Sequence, residues 1–553
     1  MPNPRSSGRR TGSAVSADAG SVPDEPPNPV HLKADVGTRF TTVNFGEAIQ
    51  GVQTPFSWAV WQRGMEAATR KSFYSLGIFN REESATPDSV ADRIAGVFYG
   101  RAAGNVNLFR TVGSRIPGSS ADVLEEKLFG EVSGTPLWRE GGGIARTATI
   151  AVKFPVAAYR SPAKARALLE DQRVWWRREV FDNPPTTLPA AQRLTRNAAD
   201  RFLEACIEHT TISMIGPQLL EALSGLAEQA TGDATLGPDL ATGYGGMEET
   251  DMIADLWLAA QGRLDIREVQ RRHGYHGPQE SKLESRSWRE DSTSVLTIID
   301  GYLQRGLPDP RVREQERIAK REATVARVLR GLPAWKRPVA KFMMAAAAMF
   351  ITGREIGKTS FLHALDGARC GARAVGGHWA QQGILSDRED VFFLTLDEVT
   401  GPGDPMLGEL ARERQANHER YLRLTLPAAW QGDPIPIPLE EQRPQSPKTR
   451  ITGIGVVGST VTGRARVISD PTTAEMEDGD ILVCATTDPS WTPLFMLADA
   501  LVIDTGGQMS HGAIVARELG VCCVINTVTG TVDIPDGATI TVNGTTGTVD
   551  ILS

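Results

Sequence analysis

The sequence predicts a multidomain chain, with a large, mostly α-helical domain followed by a smaller C-terminal α/β domain. Three observations predict this. Residues 90–430 carry apolar side chains at helical spacing and few strand signals. Near the C-terminus the pattern changes to short apolar runs such as Ala500-Leu501-Val502-Ile503, which read as buried strands. Between the two lies a stretch rich in proline, glutamine and charge, with Pro434, Pro436, Pro438, Pro444 and Pro447. The 553 residues leave room for two to four domains. The expected boundaries are a disordered tail at 1–35, a helical domain at 36–433, a Pro-rich hinge linker at 434–449 and the α/β domain at 450–553.

Residues 1–35 are rich in Ser, Gly, Pro and Arg and poor in apolar residues, which is the composition of disorder. No apolar segment follows Arg9-Arg10, so no secretory signal is expected. Order should begin near Phe40, and Thr54-Pro55-Phe56-Ser57-Trp58 reads as a proline-initiated helix start. Helical spacing then recurs in Ala198–Ser213, Met247–Gln261, Val312–Leu329 and Lys336–Phe350.

Two patches in the helical region carry chemistry. In Arg272-His273-Gly274-Tyr275-His276-Gly277-Pro278-Gln279-Glu280 the glycines and proline predict a turn. His273, His276 and Glu280 could be structural hydrogen-bonders or could line an acceptor site as candidate bases. Two histidines flanking a glycine turn lack a helical ligand spacing, so no metal site is predicted. In Arg354-Glu355-Ile356-Gly357-Lys358 the two cations stand four apart and share one helix face. Like charges so placed repel unless they are solvated or hold an anion between them.

The densest pattern lies at Thr505-Gly506-Gly507-Gln508-Met509-Ser510-His511-Gly512. It follows the Ala500–Ile503 strand and precedes a small-residue amphipathic helix ending at Gly520. Ser510 is the expected N-cap, which puts His511 at a helix N-terminus. Free N–H groups and the helix dipole there stabilise a dianionic phosphate, and paired glycines let backbone approach it. The chemistry indicated is a histidine that accepts and passes on a phosphoryl group; an ordinary polar loop residue is the alternative.

Composition narrows the classes. A net charge of −8 gives no electrostatic footprint for nucleic acid. The five cysteines have no CxxC spacing and read as buried thiols in a reducing compartment. The longest apolar run, Phe342 to Ile351, is too short to span a bilayer, so a cytoplasmic protein without membrane or nucleic-acid partners is expected.

The run Thr-Gly-Gly-x-x-Ser-His-x-Ala-x-x-Ala-Arg-Glu-x-Gly from Thr505 to Gly520 resembles the signature of the swivelling phosphohistidine domain of phosphoenolpyruvate-utilising enzymes. Asp488 to Phe495, Gly463 to Val467 and Asp478 to Val483 resemble that domain as well. One departure is Cys522, where the family has proline. Met509-Ser510-His511-Gly512 is similar to the rifampin phosphotransferase version of the loop, and further likeness to that family runs through most of residues 40–553. The Gly-His turn with Trp288-Arg289-Glu290-Asp291, and the Arg354…Lys358 pattern before Val391–Glu398, carry it. The resemblance implies that His511 is the phosphocarrier and that Arg354 and Lys358 neutralise the transferring group. It also implies Thr505, Gly506, Gly507, Ser510 and Gly512 as the phosphate loop.

Such enzymes load their histidine through an ATP-grasp domain, and no candidate for one is found in this sequence. The expected arrangement is therefore split, similar to phenylphosphate synthase. A separate ATP-grasp subunit would bind ATP and Mg2+, and this chain would bind no cofactor of its own. The expected acceptor is a hydroxyl of a small organic alcohol, phenol or natural product. The alternatives are a catalytically inactive ligand-binding module, or an enzyme that uses the phosphorylated acceptor for elimination or cyclisation.

Overall fold

The computed structural model describes residues 28–552, apart from 234–235, 241–242, 245–247, 306–307, 440–447, 470, 472–475, 478, 488–490 and 508–509. The side chains of Glu47, Pro217, Gln218, Leu220, Pro238, Gln304, Arg305, Arg313, Thr492, Pro493, His511, Ile514 and Glu518 also lie outside that description. So do the tail up to residue 27, the core of the expected hinge and the Asp488-Pro489-Ser490 motif.

A mostly helical N-terminal portion is followed by a sheet-rich C-terminal domain. The helices used below are α1 (Pro55–Gln62), α2 (Val106–Arg115), α3 (Ile144–Trp176), α4 (Leu188–Thr231), α5 (Glu248–Ala260), α6 (Ile266–His273), α7 (Thr293–Arg305), α8 (Pro310–Gly331) and α9 (Arg337–Gln381). Each predicted helical stretch is found, but Ala198–Ser213 and Lys336–Phe350 are pieces of helices 44 and 45 residues long. These two, α4 and α9, pack along a seam of glycines. A Cβ on Gly357 would lie 2.9 Å from His209 Cβ, and one on Gly371 would lie 2.8 Å from Thr195 N and 3.0 Å from Ala191 O. Glycines that read as breaks in sequence are here the condition for close helix contact.

The helical portion also holds a four-stranded antiparallel sheet that the sequence does not announce. It comprises β1 (Arg39–Thr41), β2 (Ala95–Phe98), β3 (Arg101–Asn105) and β4 (Ala429–Gln431), in the order β2-β3-β1-β4. Phe40 pairs with Trp430, so the two ends of the helical portion meet in one sheet. Residues 28–35, placed in the tail on composition, belong to the fold: Leu32 N donates to Val97 O (2.9 Å), and Val30 is buried. In the expected linker, Ile437–Pro438 pairs with Leu424–Thr425.

The C-terminal domain is one eight-stranded sheet. Its strands are β5 (Arg450–Thr452), β6 (Ile454–Val457), β7 (Thr460–Val467), β8 (Asp480–Cys484), β9 (Ala500–Ile503), β10 (Cys522–Ile525), β11 (Thr539–Asn543) and β12 (Thr548–Ile551), in the order β5-β12-β11-β7-β8-β9-β10-β6. The four strands β7 to β10 run parallel, and β8, β9 and β10 are buried throughout, which explains their unbroken apolar sequences. Alternate residues face two cores. Leu482, Leu501, Ile503 and Cys523 pack with Ala513 and Ala516 of helix α10 (His511–Leu519). Ile481, Val483, Val502 and Val524 pack with Ile540 on the other face. All five cysteines are buried thiols outside any disulfide, and Cys522 Sγ lies 3.3 Å from Ser459 O. Among the described residues no helix is long and apolar enough to cross a membrane.

The seam makes a paired test. In a helix, Gly→Ala normally gains up to about 1 kcal/mol. Overpacking a tight contact costs roughly 1–3 kcal/mol. Gly377 has open space around it, so Gly377→Ala should raise the melting temperature, whereas Gly371→Ala should lower it. Equal effects of the two in thermal unfolding would contradict the seam.

Candidate functional site

The histidine loop is fixed from below by β9. Asp504, just beyond that strand, is buried; its carboxylate accepts from Thr527 Oγ1 (2.7 Å) and Thr531 N (3.0 Å). Thr505 N donates to Ala485 O at 2.9 Å, tying the loop to the end of β8. Gly506 then takes φ +143°, a conformation that needs glycine. Ser510 N donates to Gly507 O (2.9 Å), and Ser510 Oγ accepts from Ala513 N (3.2 Å). Ser510 is thus the N-cap, and His511 is the first residue of α10, at its electropositive end. The helix closes on Gly520 at φ +69°.

Gly512, placed in the phosphate loop on resemblance, has a packing role. A Cβ there would lie 2.5 Å from Ile503 Cδ1 and 2.9 Å from Thr487 Oγ1. It lets α10 rest directly on β9.

In the helical portion, Arg354 and Lys358 stand on α9 as the spacing predicts. Lys358 Nζ pairs with Glu249 Oε1 of α5 at 2.9 Å. Burial works against the ammonium, but Glu249, Glu355 and Glu280 outweigh it and hold the lysine above its ordinary pKa. Glu355, between the two cations in sequence, is pushed up to about 7 by burial, with the charge of Glu249 adding to it. His209 Nδ1 contacts Arg354 O (3.2 Å), and burial pushes that histidine down to about 3, so it stays neutral. The tripeptide Gly357-Lys358-Thr359 sits in mid-helix and makes no phosphate-binding loop.

The Gly-His turn follows α6. His276 Nδ1 and Glu280 Oε1 form a buried pair at 2.5 Å. His273 Nε2 pairs instead with Asp255 Oδ2 of α5 at 2.9 Å, and burial lowers its pKa. The two histidines therefore serve different carboxylates. The His276–Glu280 pair is linked electrostatically to the cation cluster, since Glu280 acts on Lys358.

Sequence reasoning gave Asp366 no role, yet it is the anchor of this region. It is fully buried and accepts from Trp176 Nε1 (2.8 Å), Arg289 Nε (2.8 Å) and Arg289 Nη2 (3.2 Å). Arg289 outweighs the burial penalty and pulls this carboxyl down to about 2. Arg373 pairs with Glu290 (2.5 Å) and Glu389 (2.9 Å). The Ser287–Asp291 segment is therefore a strut that clamps the Gly-His turn to α9. The signal available was Asp366, Arg369 and Arg373 at helical spacing among apolar neighbours, a row of buried charge.

The C-terminal domain is joined through Gln50 to the residue that follows this turn. Gln50 Nε2 donates to Thr487 O (3.3 Å), while Gln50 N donates to Ser281 Oγ (3.1 Å). Tyr302 OH lies 3.1 Å from Met496 Sδ.

A histidine thus opens a capped helix on a small α/β domain, beside a helical portion that carries a charged turn. Residues 476–547 match the family described as PEP-utilising enzyme, mobile domain, and residues 222–355 match the rifampicin phosphotransferase fourth domain. Rifampicin phosphotransferase from Streptomyces sviceus is 31% identical over 402 residues, covering 68% of this chain and 43% of that relative. The Bacillus cereus enzyme of the same name is 28% identical over 370 residues (65% and 41%), and that of Bacillus subtilis is 35% identical over 173 residues (31% and 20%). The chain is rifampicin phosphotransferase-like, with the mobile domain of PEP-utilising enzymes, and it spans less than half the length of these curated relatives.

The raised Glu355 carboxyl has a stability consequence. The folded state holds this proton more tightly than the unfolded chain does, so its contribution is complete below about 4.5 and is lost as pH rises through about 7. Glu355→Gln should flatten the fall in melting temperature between pH 5 and 8. An unchanged slope would contradict the raised pKa.

Proposed function

We propose that this chain is the phosphocarrier and acceptor-binding component of a dikinase-type phosphotransferase. The observation that carries the proposal is His511 at the first position of the Ser510-capped helix, on a mobile-domain fold joined through Gln50 to the residue that follows the Gly-His turn. In the first half-reaction the imidazole attacks the β-phosphorus of ATP bound on a separate ATP-grasp protein with Mg2+. An N–P bond forms as the α–β P–O bond breaks and AMP leaves; water then cleaves the β–γ P–O bond, releasing phosphate and leaving the phosphohistidine. In the second, an acceptor hydroxyl attacks the phosphohistidine; an O–P bond forms, the N–P bond breaks and the imidazole is regenerated. The hydroxyl proton passes to the His276–Glu280 pair, whose Glu280 acts on Lys358. Arg354 and Lys358 neutralise charge on the group in flight, an electrostatic role that needs a site already organised. The ion pair with Glu249 supplies that order before phosphate arrives.

The acceptor is a small organic alcohol, phenol or natural product. The relatives' names make rifampicin the first compound to test. With the reconstituted pair, His511→Ala should abolish acceptor phosphorylation with no change in melting temperature. Lys358→Met should leave loading of His511 intact and slow transfer by about 100-fold or more, the usual cost of a lost charge-stabilising donor. Normal turnover of His511→Ala would end the proposal.

A further inference from the structure

The short segment from Asn44 to Gln50 lies between the two halves of the reaction. Asn44 has φ +65°, a left-handed conformation uncommon outside glycine and characteristic of functional constraint. Its side-chain amide donates to Leu128 O, and a Cβ on Gly507 of the histidine loop would lie 3.5 Å from Asn44 Oδ1. At the other end, Gln50 is buried and held three ways. Its N–H donates to Ser281 Oγ (3.1 Å), its carbonyl accepts from Gln53 Nε2 (2.7 Å) and its side-chain amide donates to Thr487 O (3.3 Å). Ser281 follows Glu280 of the acceptor turn, and Thr487 packs on Gly512, the residue after His511. One glutamine therefore ties the end of the acceptor turn to Thr487, the residue that packs on the start of α10.

We propose that Asn44 and Gln50 are positioning residues that receive the histidine loop, with Gln50 as a hydrogen-bonded latch that sets the register of transfer and opens when the carrier leaves. The chemistry suits a reversible contact. A single neutral hydrogen bond contributes little net stability, so it can fix an orientation without trapping the domain. Transfer demands that orientation, because the reacting atoms must meet within a few tenths of an ångström of their productive geometry.

The latch rests on the carrier reading of the C-terminal domain, and its test is built to separate the two. Hydrogen exchange is followed in the full chain for peptides covering 480–487 and 511–520, with thermal unfolding as the control for folding. Gln50→Met keeps the shape and loses the donor. It should speed exchange in both peptides about fivefold, the worth of one net hydrogen bond, at any pH. Gln50→Glu should do the same at pH 8, where a carboxylate meets the Thr487 carbonyl. It should recover as the pH falls below about 4, where an ordinary glutamate becomes the neutral acid and a donor again, a pH response that simple loss of packing would not give. Asn44→Gly keeps the backbone conformation and should speed exchange at 505–507. Unchanged exchange in both Gln50 variants at pH 8, or no recovery of Gln50→Glu at low pH, overturns the latch. Separately, wild-type protein is treated with phosphoramidate and His511 is checked for phosphate. Labelling with a failed latch leaves the carrier reading standing, and a working latch without labelling does the reverse.

Discussion

The close approach of α4 and α9 is the constraint on which the rest of the structure depends. Where Gly357 and Gly371 face α4, no side chain separates the two backbones, and α9 becomes a rigid rail. The candidate cations and the buried charge row of the helical portion are hung on that rail. Arg354, Glu355 and Lys358 project from its middle; Asp366, Arg369 and Arg373 follow in the next turns. Asp366 grips Arg289 and Arg373 grips Glu290, so the Gly-His turn cannot move independently of the cations. Breaking one partner of such a buried pair costs about 3–5 kcal/mol, which makes the network a device for fixed geometry more than for net stability.

The C-terminal domain meets the opposite requirement. On the proposed reading it must present one residue accurately and still travel. Accuracy comes from local structure: an anchored Asp504, a capped helix and a glycine that seats α10 on β9. Among the described residues, contacts with the helical portion include the hydrogen bond of Gln50 with Thr487 and the packing of Met496 against Tyr302 and its apolar neighbours. A rigid carrier on a tether, docking through weak oriented contacts, is the arrangement expected where one group must visit two sites.

What was legible in the sequence was what local physics decides. Ser510 as cap, Ala500–Ile503 as strand and Gly520 as terminator were readable because each is set by neighbours within a few residues. The full lengths of α4 and α9 were not. Gly353, Gly357 and Gly371 weaken a helix on propensity, and only the facing helix shows why they are there. The four-stranded sheet escaped because its strands are three to five residues long and β1 finds β4 from the far end of the helical portion. His273, His276 and Glu280 were visible as a polar turn, but their separate pairing with Asp255 and with each other is a tertiary fact. Gly512 entered the phosphate loop only by resemblance; that it also makes room for a strand is visible only in the fold.

The central claim is that His511 carries a phosphoryl group loaded by another protein. It is tested most directly by incubating the full chain with ATP labelled at either the β or the γ position, alone and with candidate ATP-grasp proteins. Intact mass and label are then read under alkaline conditions that preserve phosphohistidine. The account predicts label on His511 from the β position and only with a partner present. Label from the γ position, or loading of the chain by itself, would contradict it.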